Sequence, residues 1–486
     1  MIKNRFNLKN VKTFLVTLAI VGLSMSTTAQ TWPPDGMLGT GESSDPWQIT
    51  TPAHLKALAD FVNAGGGNET KDVFYKLMNN INIADYANWD PIGNHADYDR
   101  AKIFQGDFDG NGHAVQNLAI NRPEREATGL FAYIENATIR NLGVYTKIFP
   151  VGSYAVMGGF STGGLAGESV KSTITNCYVI GSVRGKGVGG LVGFNHNSST
   201  ITNCYAAVTV GGTAGVAGGL VGRNDDAVIT NCYATGDVSG TNAVGGLVGY
   251  NSHGTSIIAN CYATGNVSGT DERIGGLVGH NALGMIKNCV AANSSVSLST
   301  DYSTSTVSRV AGETDDECTL NNYANSAMVV LINGLPVTIT DALNGKAGMG
   351  KTLAELKTES FYTTQSNWND NDVWNFDEVW DICESKTLPW LRWQNIDCDN
   401  LSIVDNTVEV HIKVYPNPTT GELRIENYES AMGNIQIFDL MGRVQKVESK
   451  KTATEITLDI SHLSSGVYFL KVETASGAIT QKVIKE

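Results

Sequence analysis

Proline is scarce in this chain, with 11 residues among 486, whereas glycine is abundant at 53. Hydrophobic residues make up 42% of the sequence, which is too high for a disordered low-complexity chain. The composition therefore favours a turn-rich β protein. Basic residues are also few, at 34 against 48 acidic ones, so that the formal net charge is −14. This charge argues against duplex nucleic acid or an anionic membrane as partner, because both select clusters of Lys and Arg.

Long apolar runs are absent beyond residue 25, so no later segment is long enough for a transmembrane helix. A basic segment (residues 3–12) precedes an apolar core (residues 14–25) and four small residues that end at Ala29. This order predicts a secretory signal peptide over residues 1–29. No cysteine follows the expected cleavage site, which argues against a lipoprotein anchor. We expect an exported protein, secreted or held on the outer cell surface, that travels through the periplasm.

One sequence unit recurs five times between Gly163 and Val296. Its fullest copy, Gly218–Gly240, reads GGLVGRNDDAVITNCYATGDVSG. The cysteine of each copy follows the previous one by 27, 28, 29 and 28 residues; these cysteines are Cys177, Cys204, Cys232, Cys261 and Cys289. A period of this size predicts a solenoid.

The conserved spacing within each copy predicts three short apolar strands per coil. They surround the Leu-Val pair, the isoleucine three residues before the cysteine, and the segment from the cysteine to the valine six residues later. Stacked parallel strands with L-residues should wind to the right, which gives a right-handed parallel β-helix with about 4.8 Å per coil. The repeat cysteines should form a buried, unpaired column. Whether Cys383 and Cys398, outside the repeat, form a disulfide is left open.

The asparagine before each cysteine is expected to turn a corner, because Asn tolerates the left-handed conformation. We also expect each of these amides to bond the next one along the stack, although a row that grips a ligand is an alternative; the residues are Asn176, Asn203, Asn231, Asn260 and Asn288.

The flanking regions suggest caps and a second fold. Residues 30–120 should form an N-terminal cap and the first coils, with an amphipathic helix over residues 51–62 for which Thr50 or Thr51 is the N-cap. Residues 121–330 form the repeat β-helix. Residues 331–396 contain five tryptophans and should form a C-terminal cap, although an exposed aromatic cluster can also bind sugars. A linker, residues 397–413, leads to residues 414–486, whose alternating pattern predicts a small antiparallel β-sandwich.

The central copies, with GGLVGRN, GGLVGYN and GGLVGHN, resemble the GLUG repeat family. The resemblance implies a right-handed β-helix on secreted or surface proteins of bacteria, often treated as adhesive rods. It carries no catalytic residue to this chain.

The last domain resembles the C-terminal sorting domain of the type IX secretion system of Bacteroidetes. The matching positions are Pro416, Asn417, Pro418, Gly421, Gly466, Tyr468 and Lys482. The resemblance implies the type IX secretion machinery as a partner, translocation across the outer membrane, and removal of the domain with release or surface attachment.

Three sequence features imitate sites of chemistry. Residues 345–352 match a phosphate-binding loop but have no βαβ unit around them. Residues 107–112 begin like a calcium loop, yet Leu118 stands where the bidentate glutamate belongs. The acidic pairs Asp225–Asp226 and Asp271–Glu272 fall at different positions of the repeat, so they should not converge as a catalytic pair. We expect no catalytic residues, no metal site and no cofactor.

One column of the repeat varies while its neighbours stay constant. The residue between Val-Gly and Asn is Phe194, Arg223, Tyr250 or His280, and facing outwards these would form a stripe of aromatic and cationic side chains. A neutral outer face that drifts freely is the alternative. We predict a non-enzymatic binding or adhesin-like protein whose stripe contacts a glycan or a protein of a host or neighbouring cell. The two rival functions are a polysaccharide-active lyase or glycosidase and a purely structural spacer.

Overall fold

The computed structural model describes residues 32–94, 99–148, 153–300, 306–314, 318–368, 373–399, 412–427, 432–438, 444–445, 447–451, 455–474 and 477–485. The predicted signal peptide and most of the predicted linker lie outside these residues.

The repeats fold into a parallel β-helix in which each coil contributes strands to four sheets. The coil from Val188 to Gly212 shows the pattern, with strands Val188–Gly189, Val192–His196, Thr200–Thr202 and Tyr205–Gly212. The predicted class, a parallel β-helix followed by a small antiparallel β-sandwich, is confirmed. The structure adds a strand at the start of each repeat coil to the three apolar segments that were expected. That strand has only two residues, which is too short to give a periodic signal in the sequence.

The sheet that contains the repeat isoleucines, here called the isoleucine sheet, runs along the whole stack. Its ten strands pair in parallel and in register, so that Ile174 lies opposite Ile201 and Ile201 opposite Ile229. The strands are Trp47–Ile49, Phe74–Leu77, Asp107–Asp109, Thr138–Arg140, Thr173–Thr175, Thr200–Thr202, Val228–Thr230, Ile257–Ala259, Met285–Lys287 and Thr319–Leu320.

Two seven-stranded sheets form the adjoining side of each coil. The groove sheet contains the Val-Gly-x-Asn segments; its strands are Phe131–Glu135, Ala166–Val170, Val192–His196, Val221–Asp225, Val248–Ser252, Val278–Ala282 and Ala311–Thr314. The short-strand sheet precedes it in each coil; its strands are Ala127–Thr128, Ser161–Thr162, Val188–Gly189, Ala217–Gly218, Val244–Gly245, Ile274–Gly275 and Val307–Ser308.

The remaining side is the tyrosine sheet, named for the tyrosine that follows most repeat cysteines. It has seventeen strands, because most coils contribute two short ones. They are Ile81–Asn82, Ala114–Leu118, Ile120–Asn121, Gly143–Thr146, Val156–Met157, Tyr178–Gly185, Tyr205–Gly212, Tyr233–Ala234, Val238–Gly240, Tyr262–Ala263, Val267–Gly269, Val290–Ala291, Ser295–Leu298, Tyr323–Asn325, Val329–Ile332, Leu335–Pro336 and Met349–Lys351.

The columns of leucine, isoleucine, cysteine and valine fill the interior of the β-helix and are fully buried. The five repeat cysteines are all unpaired, as predicted. The backbone N–H of Cys177 donates to Sγ of Cys204 at 3.3 Å, and Cys204 donates in the same way to Cys232 at 3.4 Å. Burial raises the pKa of the Cys177, Cys232 and Cys289 thiols.

The corner asparagines take the expected left-handed conformation, with φ between 51° at Asn176 and 55° at Asn288. The expectation that each amide bonds the next is wrong in the central coils. Oδ1 of Asn176, Asn203 and Asn260 accepts no hydrogen bond within the described residues, and the contact is made only near the ends, for example from Asn176 to Asn141 at 3.1 Å. These corner residues are only partly buried, so that pairing of their amides is less strongly required than in a fully buried column.

A continuous amide ladder exists one sheet away, on the asparagine of Val-Gly-x-Asn. Asn195 donates to Asn224 at 2.9 Å, Asn224 to Asn251 at 2.9 Å, and Asn251 to Asn281 at 2.7 Å. All four residues are buried, so each amide must find its partner inside the protein. Asn224 also donates to the carbonyl of Ala227 at 2.9 Å, which holds the turn to the isoleucine sheet.

Helix α1, Pro52–Asn63, covers the N-terminal end of the stack, as predicted. The side chain of Thr51 accepts a hydrogen bond from the His54 N–H at 3.2 Å and so acts as the N-cap. One face of the helix is buried against the core; its residues are Leu55, Leu58, Ala59 and Val62. Two 3-10 helices, Gly66–Thr70 and Arg100–Lys102, follow.

The opposite end is closed by residues 337–351. The carbonyl of Lys346 accepts hydrogen bonds from the N–H groups of Val310 and Ala311, both at 3.0 Å, and so pairs the edge of the last coil. The guanidinium of Arg309 is buried beneath this segment, where it donates to Ala347 and Gly348 carbonyls at 3.1 and 2.9 Å.

The tryptophan-rich segment lies elsewhere than the sequence suggested. Residues 353–368 and 373–399, here called the strap, run back along the side of the β-helix and cover the tyrosine sheet. Trp374 donates to the carbonyl of Asn288 at 3.1 Å, and Trp393 to that of Asn203 at 3.2 Å. The strap contains α2 (Leu353–Leu356), α3 (Glu359–Thr363), the 3-10 helices Gln365–Asn367 and Arg392–Gln394, and the strand pair Trp380–Asp381 and Trp390–Leu391.

A disulfide joins Cys383 and Cys398 in the strap. The tryptophans lie on the lateral face because stacked tyrosines offer them a continuous aromatic surface there. Tyr233 and Tyr262, for example, both contact the Trp380 ring.

The C-terminal domain is the predicted antiparallel β-sandwich of two four-stranded sheets. Buried Leu423, Ile437 and Leu470 lie in the core between them. One sheet has the strands Ile412–Tyr415, Glu422–Asn427, Glu455–Asp459 and Glu448–Lys451; the other has Val444–Gln445, Met432–Phe438, Gly466–Thr474 and Gly477–Lys485.

Asn224→Ala should lower the free energy of unfolding by about 2–4 kcal/mol, because it leaves the amides of Asn195 and Asn251 without their buried partners. Chemical denaturation of the purified protein measures this change. Thr209→Ala, on an exposed strand position of the neighbouring coil, should change stability by less than about 0.5 kcal/mol. Equal effects of the two substitutions would contradict a stabilising role for the amide ladder.

The five repeat thiols should resist a water-soluble disulfide reagent in the native protein and react after unfolding. A thiol must ionise to react, and burial both blocks access and raises the pKa of Cys177, Cys232 and Cys289. All five thiols are fully buried, so raising the pH to about 9, above the usual thiol pKa, should not release them. Rapid native labelling of more than one thiol per chain would contradict this packing.

Candidate binding groove and sorting domain

The predicted stripe residues occupy one column of the groove sheet. Phe194 lies opposite Arg223, Arg223 opposite Tyr250, and Tyr250 opposite His280. The column continues in both directions, through Glu168 before Phe194 and Glu313 after His280. All four stripe side chains are half-buried, whereas the asparagine that follows each of them is fully buried.

The stripe is a continuous stack along the axis of the β-helix. Cζ of Arg223 lies 5.0 Å from the ring centroid of Phe194 and 5.3 Å from that of Tyr250, so the guanidinium is held between two rings. Tyr250 meets the His280 ring at 4.9 Å and 63°. On the other side of the stack, Phe194 lies flat on His196 at 4.0 Å. The ring faces are therefore occupied by one another, and the stripe presents ring edges and polar tips.

The stripe forms one wall of a groove of about 710 Å³. The other wall comes from the loops that precede the short-strand sheet, residues 186–187, 213–216, 241–243 and 270–273. These loops differ in length and, together with the turns between the groove sheet and the isoleucine sheet, they account for the variation of the repeat period. Phe160 stands at the rim with 65% of its surface exposed, and Nζ of Lys186 lies 4.6 Å from its ring centroid.

The groove presents cations and no carboxylate among its lining residues in the described part of the chain. The lining cations are Lys186, Arg223, Arg273 and the ionisable His280. Acidic side chains beside the groove hold the arginines in place: Asp225 pairs with Arg223 at 2.7 Å, and Glu272 and Glu313 pair with Arg273. The acidic pairs of the sequence are thus used to fix cations.

The groove also contains a sequence motif of serine hydrolases. Residues 159–163 read Gly-Phe-Ser-Thr-Gly, which fits the Gly-x-Ser-x-Gly pattern of serine hydrolases. Ser161 begins a two-residue strand at a coil corner rather than a strand-to-helix turn. Its hydroxyl donates to Glu168 at 2.8 Å, and Nε2 of His196 lies 3.6 Å from the same carboxylate. The carboxylate stands between serine and histidine, so this order is not that of a catalytic triad.

The residues that resemble a calcium loop and a phosphate-binding loop also have structural roles. Asp107 and Asp109 belong to the isoleucine sheet, where Arg140 pairs with both at 3.0 and 3.2 Å. Lys351 of the phosphate-loop match ends a strand beside Tyr323–Asn325 and pairs with Glu355 at 3.2 Å. Within the described residues, no group of three or more His, Cys, Asp and Glu side chains converges as a metal site.

Several of the predicted sorting residues lie on or beside the last strand of the sandwich, Gly477–Lys485. Oδ1 of Asn417 accepts a hydrogen bond from the Ile484 N–H at 2.8 Å, which ties the segment with Pro416 and Pro418 to that strand. Tyr468 is buried and donates to the carbonyl of Ser464 at 2.9 Å. A Cβ added at Gly421 would lie 3.0 Å from Cβ of Ser461, so the backbone of Gly421 packs closely against that residue. Gly466 starts the strand that pairs with Lys482 and its neighbours.

Comparison with known families identifies both parts. The GLUG motif matches residues 185–211, 213–239, 240–268 and 270–297, and the secretion system C-terminal sorting domain matches residues 413–486. The chain carries GLUG repeats and a type IX sorting domain. The sorting domain indicates interaction with the secretion machinery and export to the cell surface or the medium. Among the residues that the structure describes, no helix is long and apolar enough to cross a membrane.

Two proteins are similar to part of the repeat chain. Halomucin of Haloquadratum walsbyi is 31% identical over 173 residues, which cover 35% of this chain and 2% of that protein. A protein of Evansella cellulosilytica named as a candidate Gly-rich membrane protein is 34% identical over 131 residues, covering 26% of this chain and 14% of that protein. The chain thus spans a small part of the length of both.

One solved structure is similar over much of the fold. It is a crystal structure from Bacteroides ovatus named as a candidate immunoglobulin A1 protease, 21% identical, with a TM-score of 0.48. The match covers 73% of this chain and 94% of the chain in that structure.

Deletion of residues 414–486 should leave the protein in the periplasm, because the segment tied together by Asn417 and the last strand is removed. Fractionation of the native host and surface protease accessibility would measure this. Arg424→Ala, an exposed strand position outside the sorting motif, should leave export unchanged. Normal surface display of the truncated chain would contradict the sorting role.

Proposed function

We propose that this protein is a non-catalytic binding protein that the type IX machinery delivers to the cell surface or the medium. Its ligand site is the groove of the stripe residues, and its ligand is a glycan or a protein on another cell. The mechanism is contact along a rigid rod, where neighbouring coils supply several weak contacts at once.

The observation that carries this proposal is the position of the variable residues. In each copy the leucine, isoleucine, cysteine and valine columns build the core, whereas the stripe residues change from coil to coil and line the groove together with loops of variable length. Aromatic and arginine side chains also dominate the energetics of protein-binding surfaces. A drifting neutral face would not need to collect these residue types in one concave site.

The charges of the groove favour an acidic ligand. The lining has cations and no carboxylate, and the paired acids beside it hold Arg223 and Arg273 in place before any ligand arrives. A held guanidinium loses little conformational entropy on binding and can form two parallel hydrogen bonds to a carboxylate or sulfate. An acidic glycan or an acidic protein loop would satisfy this surface.

The absence of catalysis is part of the proposal. Ser161, Glu168 and His196 are close together, but the serine proton is held by the carboxylate and not by the imidazole. Incubation of the purified protein with polysaccharides and with protein substrates tests this point. Turnover that disappears in Ser161→Ala would overturn it.

The binding proposal predicts that Tyr250→Ala and Arg223→Ala each lower the affinity for the groove ligand by about tenfold or more, since each removes a central member of the stack. A glycan and surface-protein array identifies the ligand, and titration of the full chain gives the affinities. Thr209→Ala, on the tyrosine sheet of a neighbouring coil, is the matched control and should bind as the native protein does. Unchanged affinity in both groove variants would contradict the proposal.

A further inference from the structure

A second concave site lies on the tyrosine sheet, away from the groove. Four tyrosines follow the repeat cysteines and stack in parallel along the axis. Their ring centroids are 5.1, 5.0 and 4.8 Å apart, with planes within 5° of parallel; the residues are Tyr178, Tyr205, Tyr233 and Tyr262. The strap covers most of this ladder and leaves Tyr233 and Tyr262 buried.

The strap and the tyrosine ladder both end near Tyr178. The strap reaches Tyr178 and Tyr205 with Trp393, whose ring lies 6.1 and 5.8 Å from theirs and is 37% exposed. In the coil before Tyr178, the ladder position is Gly143. A Cβ on Gly143 would lie 2.3 Å from the Tyr178 ring, so that this glycine lets the ring lie flat on the coil. The two endings leave a depression beside Trp393.

This depression, here called the strap cleft, has a volume of about 620 Å³. Its aromatic walls are Trp393, Tyr178, Tyr205 and Tyr145, and Tyr145 stands edge-on to Tyr178 at 5.7 Å. Its polar lining consists of side-chain amides from two successive corners and from the strap; these residues are Asn141, Asn176 and Gln394.

The cleft is neutral, unlike the groove. None of its lining residues in the described part of the chain is Asp, Glu, Lys, Arg or His. Burial raises the pKa of the Tyr178 and Tyr205 hydroxyls, which therefore stay protonated and can both donate and accept. This lining offers ring surface and hydrogen-bonding groups but no counter-charge for an ionised ligand.

The amides at the corners are held in fixed positions, and one acceptor is left over. Asn176 donates to Asn141 at 3.1 Å, and Asn141 donates to Asp109 at 3.0 Å. Oδ1 of Asn176 is buried and accepts no hydrogen bond within the described residues. A buried acceptor without a donor is rare in native proteins, and a hydroxyl in the cleft could supply one after a small movement.

The strap wall of the cleft is also fixed before binding. Trp393 donates to the Asn203 carbonyl at 3.2 Å, and Gln394 accepts from the Tyr233 hydroxyl at 3.0 Å. The disulfide between Cys383 and Cys398 ties the segment on either side of Trp393. A wall of this kind loses little entropy when a ligand is bound.

We propose that the strap cleft binds a neutral polysaccharide chain, with Trp393 and Tyr178 against the apolar faces of the sugar rings and the corner amides on their hydroxyls. Sugars combine an apolar face and several hydroxyls in every unit, which matches a lining of rings and amides without charge. Successive coils repeat the corner amide about every 4.8 Å, which is close to the advance of one sugar along an extended chain. This proposal is independent of the ligand of the groove.

The test is titration of the full chain with neutral oligosaccharides of glucose, mannose, xylose and N-acetylglucosamine, followed by calorimetry and tryptophan fluorescence. At least one should bind, and Trp393→Ala should weaken it by about tenfold or more. Trp393→Phe, which keeps a ring, should retain most of the affinity. Tyr145→Leu removes a ring from the β-helix wall without touching the strap, so it decides the matter if Trp393→Ala disturbs folding.

Groove and cleft give separable results. Arg223→Ala should leave the affinity for the neutral oligosaccharide unchanged, and Trp393→Ala should leave the affinity for the groove ligand unchanged. The cleft proposal is overturned if none of the neutral oligosaccharides binds at millimolar concentration. It is equally overturned if binding survives in folded Trp393→Ala and Tyr145→Leu.

Discussion

The in-register parallel pairing of successive coils is the constraint on which the rest of this structure depends. Because residue Leu191 bonds to Leu220 and Leu220 to Leu247 through their backbones, equal positions of the repeat come to lie above one another. Any residue type that the repeat preserves therefore becomes a ladder, whether of thiols, amides or rings. Any residue type that it changes becomes a stripe of mixed chemistry at the same spacing.

Periodic features could be predicted from the sequence, because each is repeated and its meaning is local. The core columns, the left-handed corners and the Thr51-capped helix all follow from side-chain polarity and backbone preference at single positions. The amide ladder was assigned to the wrong asparagine because both asparagines recur with the same period. What separates them is burial: Asn224 has no exposed surface, whereas every corner asparagine except Asn288 is partly exposed, and periodicity alone does not reveal this difference.

The two concave sites differ in how far they could be foreseen. The groove residues Phe194, Arg223, Tyr250 and His280 stood out as a variable column between two constant ones, and the structure adds the loops that make the column concave. The strap cleft had no such signal, because it needs Trp393 to meet Tyr178 across more than two hundred residues of chain. Long-range contacts of this kind depend on where the strap finds apolar surface, and the tyrosine ladder offers it only after the coils have stacked.

The strap also changes how the stack should behave as a mechanical and thermodynamic object. In a simple solenoid each coil touches only its neighbours, so that coils can peel away one at a time from an end. Here a single segment contacts Tyr323 near one end and Tyr178 several coils away. The coils beneath it are clamped together and must open as one cooperative unit, which makes the middle of the rod a splinted section.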